Sequence, residues 1–230
     1  MHFSVQLLLV LLSGCSSCVF GIAFPSLLAP SSETNYCCLP PNWEALMYFD
    51  FGTVYIDQST SLVYVNGTLK AAYSVSKKKA VFKLTGIEQN PSLPYPLPYD
   101  AVMLYDFENE TAYFVSGGEC QKNAMESNIT LQCIPRLAKQ LLSGVFGTGP
   151  VIRHIHTFQF TQEYDTPWQI TATVYTNDII PIEPRECGLI TVSSFASAFN
   201  FNSGILYTLN VMDMGEIKTP GIFDVPKDCH

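Results

Sequence analysis

Two histidines one residue apart, His154 and His156, are the first groups in this 230-residue chain that could do chemistry. In an extended strand they project to the same side, a geometry that can hold a metal. No third ligand is identifiable. Their neighbours on that face, Phe158 and Phe160, are aromatic, whereas ligand histidines need polar partners to orient them. The acidic turn from Asp106 to Glu110, with Asp106 and Glu108 as donors, could offer oxygens to calcium, as could Asp213 and Glu216. Neither has the D-x-D-x-D-G spacing of a helix–loop–helix calcium site. The chain holds no G-x-S-x-G, no H-E-x-x-H, no phosphate loop and no dinucleotide fingerprint. The expectation is a protein that is not an enzyme and has no cofactor, with calcium left open.

The cysteines point to a compartment rather than a reaction. Of 8 cysteines, Cys15 and Cys18 fall in a leader-like segment. The other six are Cys37, Cys38, Cys120, Cys133, Cys187 and Cys229. An even set in a secreted chain suggests three disulfides, and six cysteines allow 15 pairings. No C-x-x-C or Cys/His pair has zinc spacing. Three N-x-T sequons, at Asn66, Asn109 and Asn128, mark expected glycans on an outward surface.

The N-terminus agrees with that route. The first 32 residues contain no Asp, Glu, Lys or Arg, Val5 to Leu12 is an apolar run, and Gly21-Ile22-Ala23 suits cleavage. Residues 1–23 read as a signal peptide, 24–36 as an N-terminal arm, and 37–230 as a single β domain. Leu12-Ser13-Gly14-Cys15 also has the form of a bacterial lipobox, but the basic residues that precede such signals are missing. The formal charge of -8 disfavours nucleic acid, which needs clustered Lys and Arg. The one cluster, Lys77-Lys78-Lys79, reads as a solvated hairpin tip. The expected location is secreted or extracellular.

The elements that must position these groups are mostly strands. Tyr48 to Ile56, Leu62 to Val65, Leu69 to Val75 and Ala80 to Leu84 are short runs rich in Val, Tyr and Phe. Asn66-Gly67 between two of them predicts a hairpin turn. Pro91, Pro94, Pro96 and Pro98 predict an extended loop from Gln89 to Tyr99. Strands follow at Ala101 to Tyr105, Thr111 to Val115, His154 to Gln162, Gln169 to Tyr175, Ile190 to Ala196 and Ile205 to Met212. Between them, Ile134, Leu137, Leu141, Leu142 and Val145 recur at helical spacing and predict a helix over 134–146. The fold class is therefore all-β with a minor helical part. Alternation puts Phe82 and Leu84 on one face, and likewise His156, Phe158 and Phe160. Val174, Phe199 and Phe201 alternate with polar neighbours in the same way. Such a face can close as a packed core or line an apolar pocket.

Three segments together resemble the ependymin-related family. They are Cys37-Cys38-Leu39-Pro40-Pro41-Asn42-Trp43-Glu44, Leu104-Tyr105 with Cys120 beyond it, and Phe223-Asp224-Val225-Pro226-Lys227-Asp228-Cys229. Two positions depart from the family pattern: Ala45 where a Gly is usual, and Ile179 where a Cys precedes the Pro181-Ile182 pair. The resemblance implies two curved antiparallel sheets, a sandwich or half-barrel with an open apolar pocket similar to that of bacterial lipoprotein carriers. It implies Cys120–Cys229, and Cys37 or Cys38 with Cys187, leaving Cys133 for the other member of the doublet. It also implies a homodimer, a lipid or fatty-acid ligand, calcium association, an extracellular or lysosomal location, and roles in extracellular-matrix contact and cell adhesion. Two functions follow as expectations: a carrier of a hydrophobic ligand, or a matrix, adhesion or signalling glycoprotein that works through its surface.

Overall fold

The computed structural model describes residues 35–56, 60–89, 94–125, 129, 132–147, 152–162, 168–176, 186–197 and 203–229. The leader, Asn128, Phe199 and Phe201 lie outside the described residues. Among the described residues, thirteen strands run in the order β1 (Asn35–Cys38), β2 (Asn42–Ile56), β3 (Thr60–Ser74), β4 (Lys79–Gln89), β5 (Leu97–Asp106), β6 (Thr111–Ser116) and β7 (Glu119–Ala124). Then come β8 (Cys133–Pro135), β9 (Lys139–Phe146), β10 (Arg153–Gln162), β11 (Trp168–Thr176), β12 (Gly188–Ser197) and β13 (Ser203–Gly215). β1 and β8 form a small two-stranded sheet. The other strands form one 11-stranded antiparallel sheet, ordered β7-β6-β5-β4-β3-β2-β13-β12-β11-β10-β9. It is an all-β fold of the sandwich type, and the large sheet does not close into a barrel.

The order describes two meanders that meet at the centre. β2 to β7 walks outward to one edge, and β9 to β13 walks back from the other edge until β13 pairs with β2. In an antiparallel ladder, directly opposite residues share a face. The rung Phe158–Ala172–Val192–Leu209–Phe49 therefore crosses five strands on one face, and all five side chains are buried. That face from β6 to β10 joins in one hydrophobic core. The opposite face of β3 to β6 is apolar for a different reason. Ala72, Val81 and Leu104 lie under Ile222 and Phe223 of the C-terminal segment, so these strands are buried on both sides.

That segment is a strap held at both ends. Glu44 accepts hydrogen bonds from the backbone N of Lys218 (3.0 Å) and Thr219 (2.9 Å), and from Thr219 Oγ1. Lys70 Nζ pairs with the same carboxylate at 3.0 Å. At the far end Cys229 is bonded to Cys120 on β7. The other disulfides are Cys37–Cys187 and Cys38–Cys133. Cys38–Cys133 joins the two strands of the small sheet, and Cys37–Cys187 ties that sheet to the segment before β12. Three disulfides are characteristic of an oxidising compartment. Among the described residues, no helix is long and apolar enough to cross a membrane.

Four sequence expectations need correction. The helix over 134–146 does not form: Ile134 sits in β8, and Lys139–Phe146 is edge strand β9. Side-chain burial does not decide this, because Leu137 is 99% exposed and Leu142 62%. Backbone pairing along β10 does, and Gly144 inside the segment weakens a helix. The Asn66-Gly67 hairpin is also absent, since both residues lie inside the continuous strand β3, which is paired on both sides. The loop from Gln89 to Tyr99 is shorter than expected, with Gln89 ending β4 and Leu97 beginning β5. Pro98 is tolerated because β6 pairs only with Ala101 to Asp106, leaving that end of β5 as an edge. Finally, the arm ends early, with β1 beginning at Asn35.

Candidate functional site

A cleft opens on the buried face beside the pairing of β3 with β4. Gly67 and Gly86 stand directly opposite each other there, on the rung that continues Phe49 towards Tyr99. The two backbones approach so closely that a Cβ on Gly67 would lie 2.1 Å from Thr85 O and 2.5 Å from Gly86 Cα. Glycine is required for that contact, and it leaves two adjacent positions of the inner face without side chains. Around the cleft stand Phe49, Asp50, Phe51, Val65, Leu69, Leu84 and Tyr99, with Tyr207 and Leu209 on β13. Counted out to its open mouth, the cleft spans about 420 Å³, but the part open to the centre of a water molecule is about 20 Å³. The larger figure takes in open solvent, and the smaller admits about one water.

The expected pocket residues divide around this cleft. Leu84 lines it. Phe82, Phe158 and Val174 are buried in the shared core without lining it. Phe160 is half-buried at the core's margin. His156 packs its ring on Tyr36 (5.4 Å) and Phe158 (6.1 Å), with Nδ1 3.3 Å from Ser143 Oγ. His154 Nε2 is buried without a hydrogen-bond partner. Among the described residues, no group of three His, Cys, Asp or Glu could hold a metal ion.

The calcium expectation finds no fit at Asp106 and Glu108. Asp106 is buried and already engaged: its carboxylate receives Lys79 Nζ at 3.0 Å, Asn109 Nδ2 at 2.9 Å and Asn109 N at 3.1 Å. Burial alone would raise its pKa, but these hydrogen bonds and the lysine charge outweigh that and hold it below the usual range. Glu108 is exposed and reaches Lys78 at 3.9 Å. The lysine triplet does stand at a hairpin tip, but it is engaged rather than simply solvated. Lys79 and Lys78 meet the β5–β6 turn, and Lys77 lies 5.5 Å over the Phe223 ring. Of the sequons, Asn109 is exposed in that turn, and Asn66 is half-buried at mid-β3.

Residue reading missed Gly67 and Gly86 as cleft formers, along with Phe49, Phe51, Val65 and Tyr99. It also missed Glu88, a carboxylate 7% exposed on the same inner face. A signal was present in the parity of Phe82, Leu84, Gly86 and Glu88 along one strand. No protein-family model matches the chain, and no curated protein matches it either.

Proposed function

We propose that this chain is a secreted, N-glycosylated binding protein of the ependymin-related kind, which holds a hydrophobic ligand in the cleft over Gly67 and Gly86 and performs no catalysis. The observation that carries the reading is the cleft itself. A continuous apolar face is interrupted where two opposed glycines remove side chains, and aromatic residues rim the gap. Three disulfides and an exposed sequon at Asn109 support the secretory route. A homodimer belongs to the proposal, supported by the exposed apolar edge of β9 with Leu142, Val145 and Phe146. The second reading, an extracellular-matrix, adhesion or signalling glycoprotein acting through its surface, is favoured by the small deep volume and the close packing of Phe82, Phe158 and Val174.

Native mass spectrometry of the secreted, deglycosylated protein separates the two. Lipid at about one per protomer, lost on organic extraction, is the expected result. A clean apo mass that stays clean after addition of lipids removes the carrier and leaves the surface reading.

A further inference from the structure

The sequon Asn66-Gly67-Thr68 sits in the middle of β3, and its residues serve both faces of the sheet. We propose that Asn66 carries an N-glycan whose first sugar packs on the outer face, over Tyr48 and Ile87, directly behind the cleft. This rests on the secreted-glycoprotein reading and adds to it one modification site and the contacts that the sugar makes.

Successive side chains of a strand alternate between faces. Gly67 belongs to the cleft face, so Asn66 and Thr68 both point outward. One triplet thereby meets two demands. The inner face needs a residue without a side chain, and a sequon accepts any residue but proline at its middle position. Transfer of the glycan acts on the extended chain before it folds, so a place inside a strand does not bar it.

Two rungs of the outer face run Thr191–Asn210–Tyr48–Thr68–Thr85 and Ser193–Thr208–Asp50–Asn66–Ile87. All are small polar side chains except Tyr48 and Ile87, which are 37% and 49% exposed. Ile87 stands directly opposite Asn66 on β4, with Cβ atoms about 5 Å apart, and Tyr48 is its diagonal neighbour on β2 at about 7–8 Å. Within this polar field the exposed apolar surface therefore falls on the two sides of the sequon asparagine. The faces of an N-acetylglucosamine ring are largely C–H, which pack on aromatic and aliphatic groups, while its rim of hydroxyls suits the surrounding threonines.

The linkage is also aimed. The Asn66 amide donates a hydrogen bond to the Tyr64 hydroxyl. That hydroxyl in turn donates to Asp50 Oδ1. A glycosylated asparagine keeps one amide N–H, so this bond survives attachment and fixes the direction in which the sugar leaves the strand.

The wild-type secreted protein carries its own control, because Asn109 lies exposed in a turn. Glycopeptide mass spectrometry should find both Asn66 and Asn109 occupied. Peptide-N-glycosidase must reach the bond between sugar and asparagine. On the folded protein it should release the Asn66 glycan about tenfold more slowly than the Asn109 glycan, and at the same rate after denaturation. A double-mutant cycle reads the contact itself. Ile87→Thr keeps the branched side chain and should lower Tm by roughly 2–4 °C in the glycosylated protein. In a Thr68→Ala background, which destroys the sequon and leaves Asn66 in place, most of that loss should disappear. A bare Asn66 beside a glycosylated Asn109 overturns this inference and leaves the secretory reading standing; bare asparagines at both sites overturn that reading too. Equal release from the folded protein, or an Ile87→Thr loss that is the same with and without the glycan, overturns the packing.

Discussion

Replacing Glu44 with Gln removes one negative charge from beneath the C-terminal strap and leaves its shape almost unchanged. Burial by itself would raise the Glu44 carboxyl. Hydrogen bonds from the Thr219 hydroxyl and backbone, from Lys70 and from the Lys218 backbone outweigh it and bring the pKa from 4.5 to about 2. At about 1.4 kcal/mol per tenfold change, that drop corresponds to at most about 3.5 kcal/mol of stability at neutral pH. Lys70 is 41% exposed, so solvent screens its share, and about 1–2 kcal/mol is the better expectation. For a chain of this size that lowers Tm by roughly 2–8 °C. The sign fixes the pH window. A carboxyl whose folded pKa is depressed stabilises the fold above its unfolded value, and the contribution is lost as pH falls from 4.5 towards 2. Thermal unfolding of the wild type and Glu44→Gln across that range is the assay. The gap should be full near neutrality and closed near the lower end. An equal gap at both ends, or none at neutral pH, would refute a charge-based anchor.

Other perturbations read other parts of the fold. Gly67→Ala drives a methyl into the β4 backbone and should cost roughly 3 kcal/mol or more, measured by urea unfolding; a neutral result would mean the strands are not so close. Phe82→Ala, 2% exposed in the core, should cost about 3–5 kcal/mol by the same assay. Asp106→Asn leaves Lys79 without its carboxylate and should cost about 1–2 kcal/mol, with the loss disappearing in acid, as thermal scans against pH would record. Removing the Cys120–Cys229 bridge by a double Ser substitution frees a loop of 109 residues. Chain entropy puts that loss at about 4–5 kcal/mol, checked by urea unfolding under non-reducing conditions.

The strand texture was legible because alternation is a local property. Phe82, Leu84, Phe158 and Val174 fall on the buried face for the reason their spacing suggests. What local pattern cannot carry is pairing. The apolar residues of 134–146 fit a helical stripe, yet β10 offered that backbone a partner, and of the stripe only Ile134 meets the core. Asn66-Gly67 has the residues of a turn. Whether a glycine turns the chain or lets two strands touch depends on what lies opposite, and here that is another glycine, Gly86, on the next strand. The cleft was illegible for the same reason, because a gap between strands belongs to no single one of them. Glu88 went unnoticed because an isolated acid in a strand reads as surface until the register turns it inward.

The pairing of β2 with β13 has a consequence for how the chain is made. Residues 42–56 leave the ribosome well before their central partner, residues 203–215. The first meander can zip up from local hairpins, but the inner edge of β2 stays unpaired until β13 has been delivered. That edge is a template for wrong partners during the wait, and the final pairing closes the longest loop in the fold. A chain stopped short of Ser203 is thus not a smaller form of this sheet. It is two half-sheets tied through Cys37–Cys187, each with an open strand where the other should be.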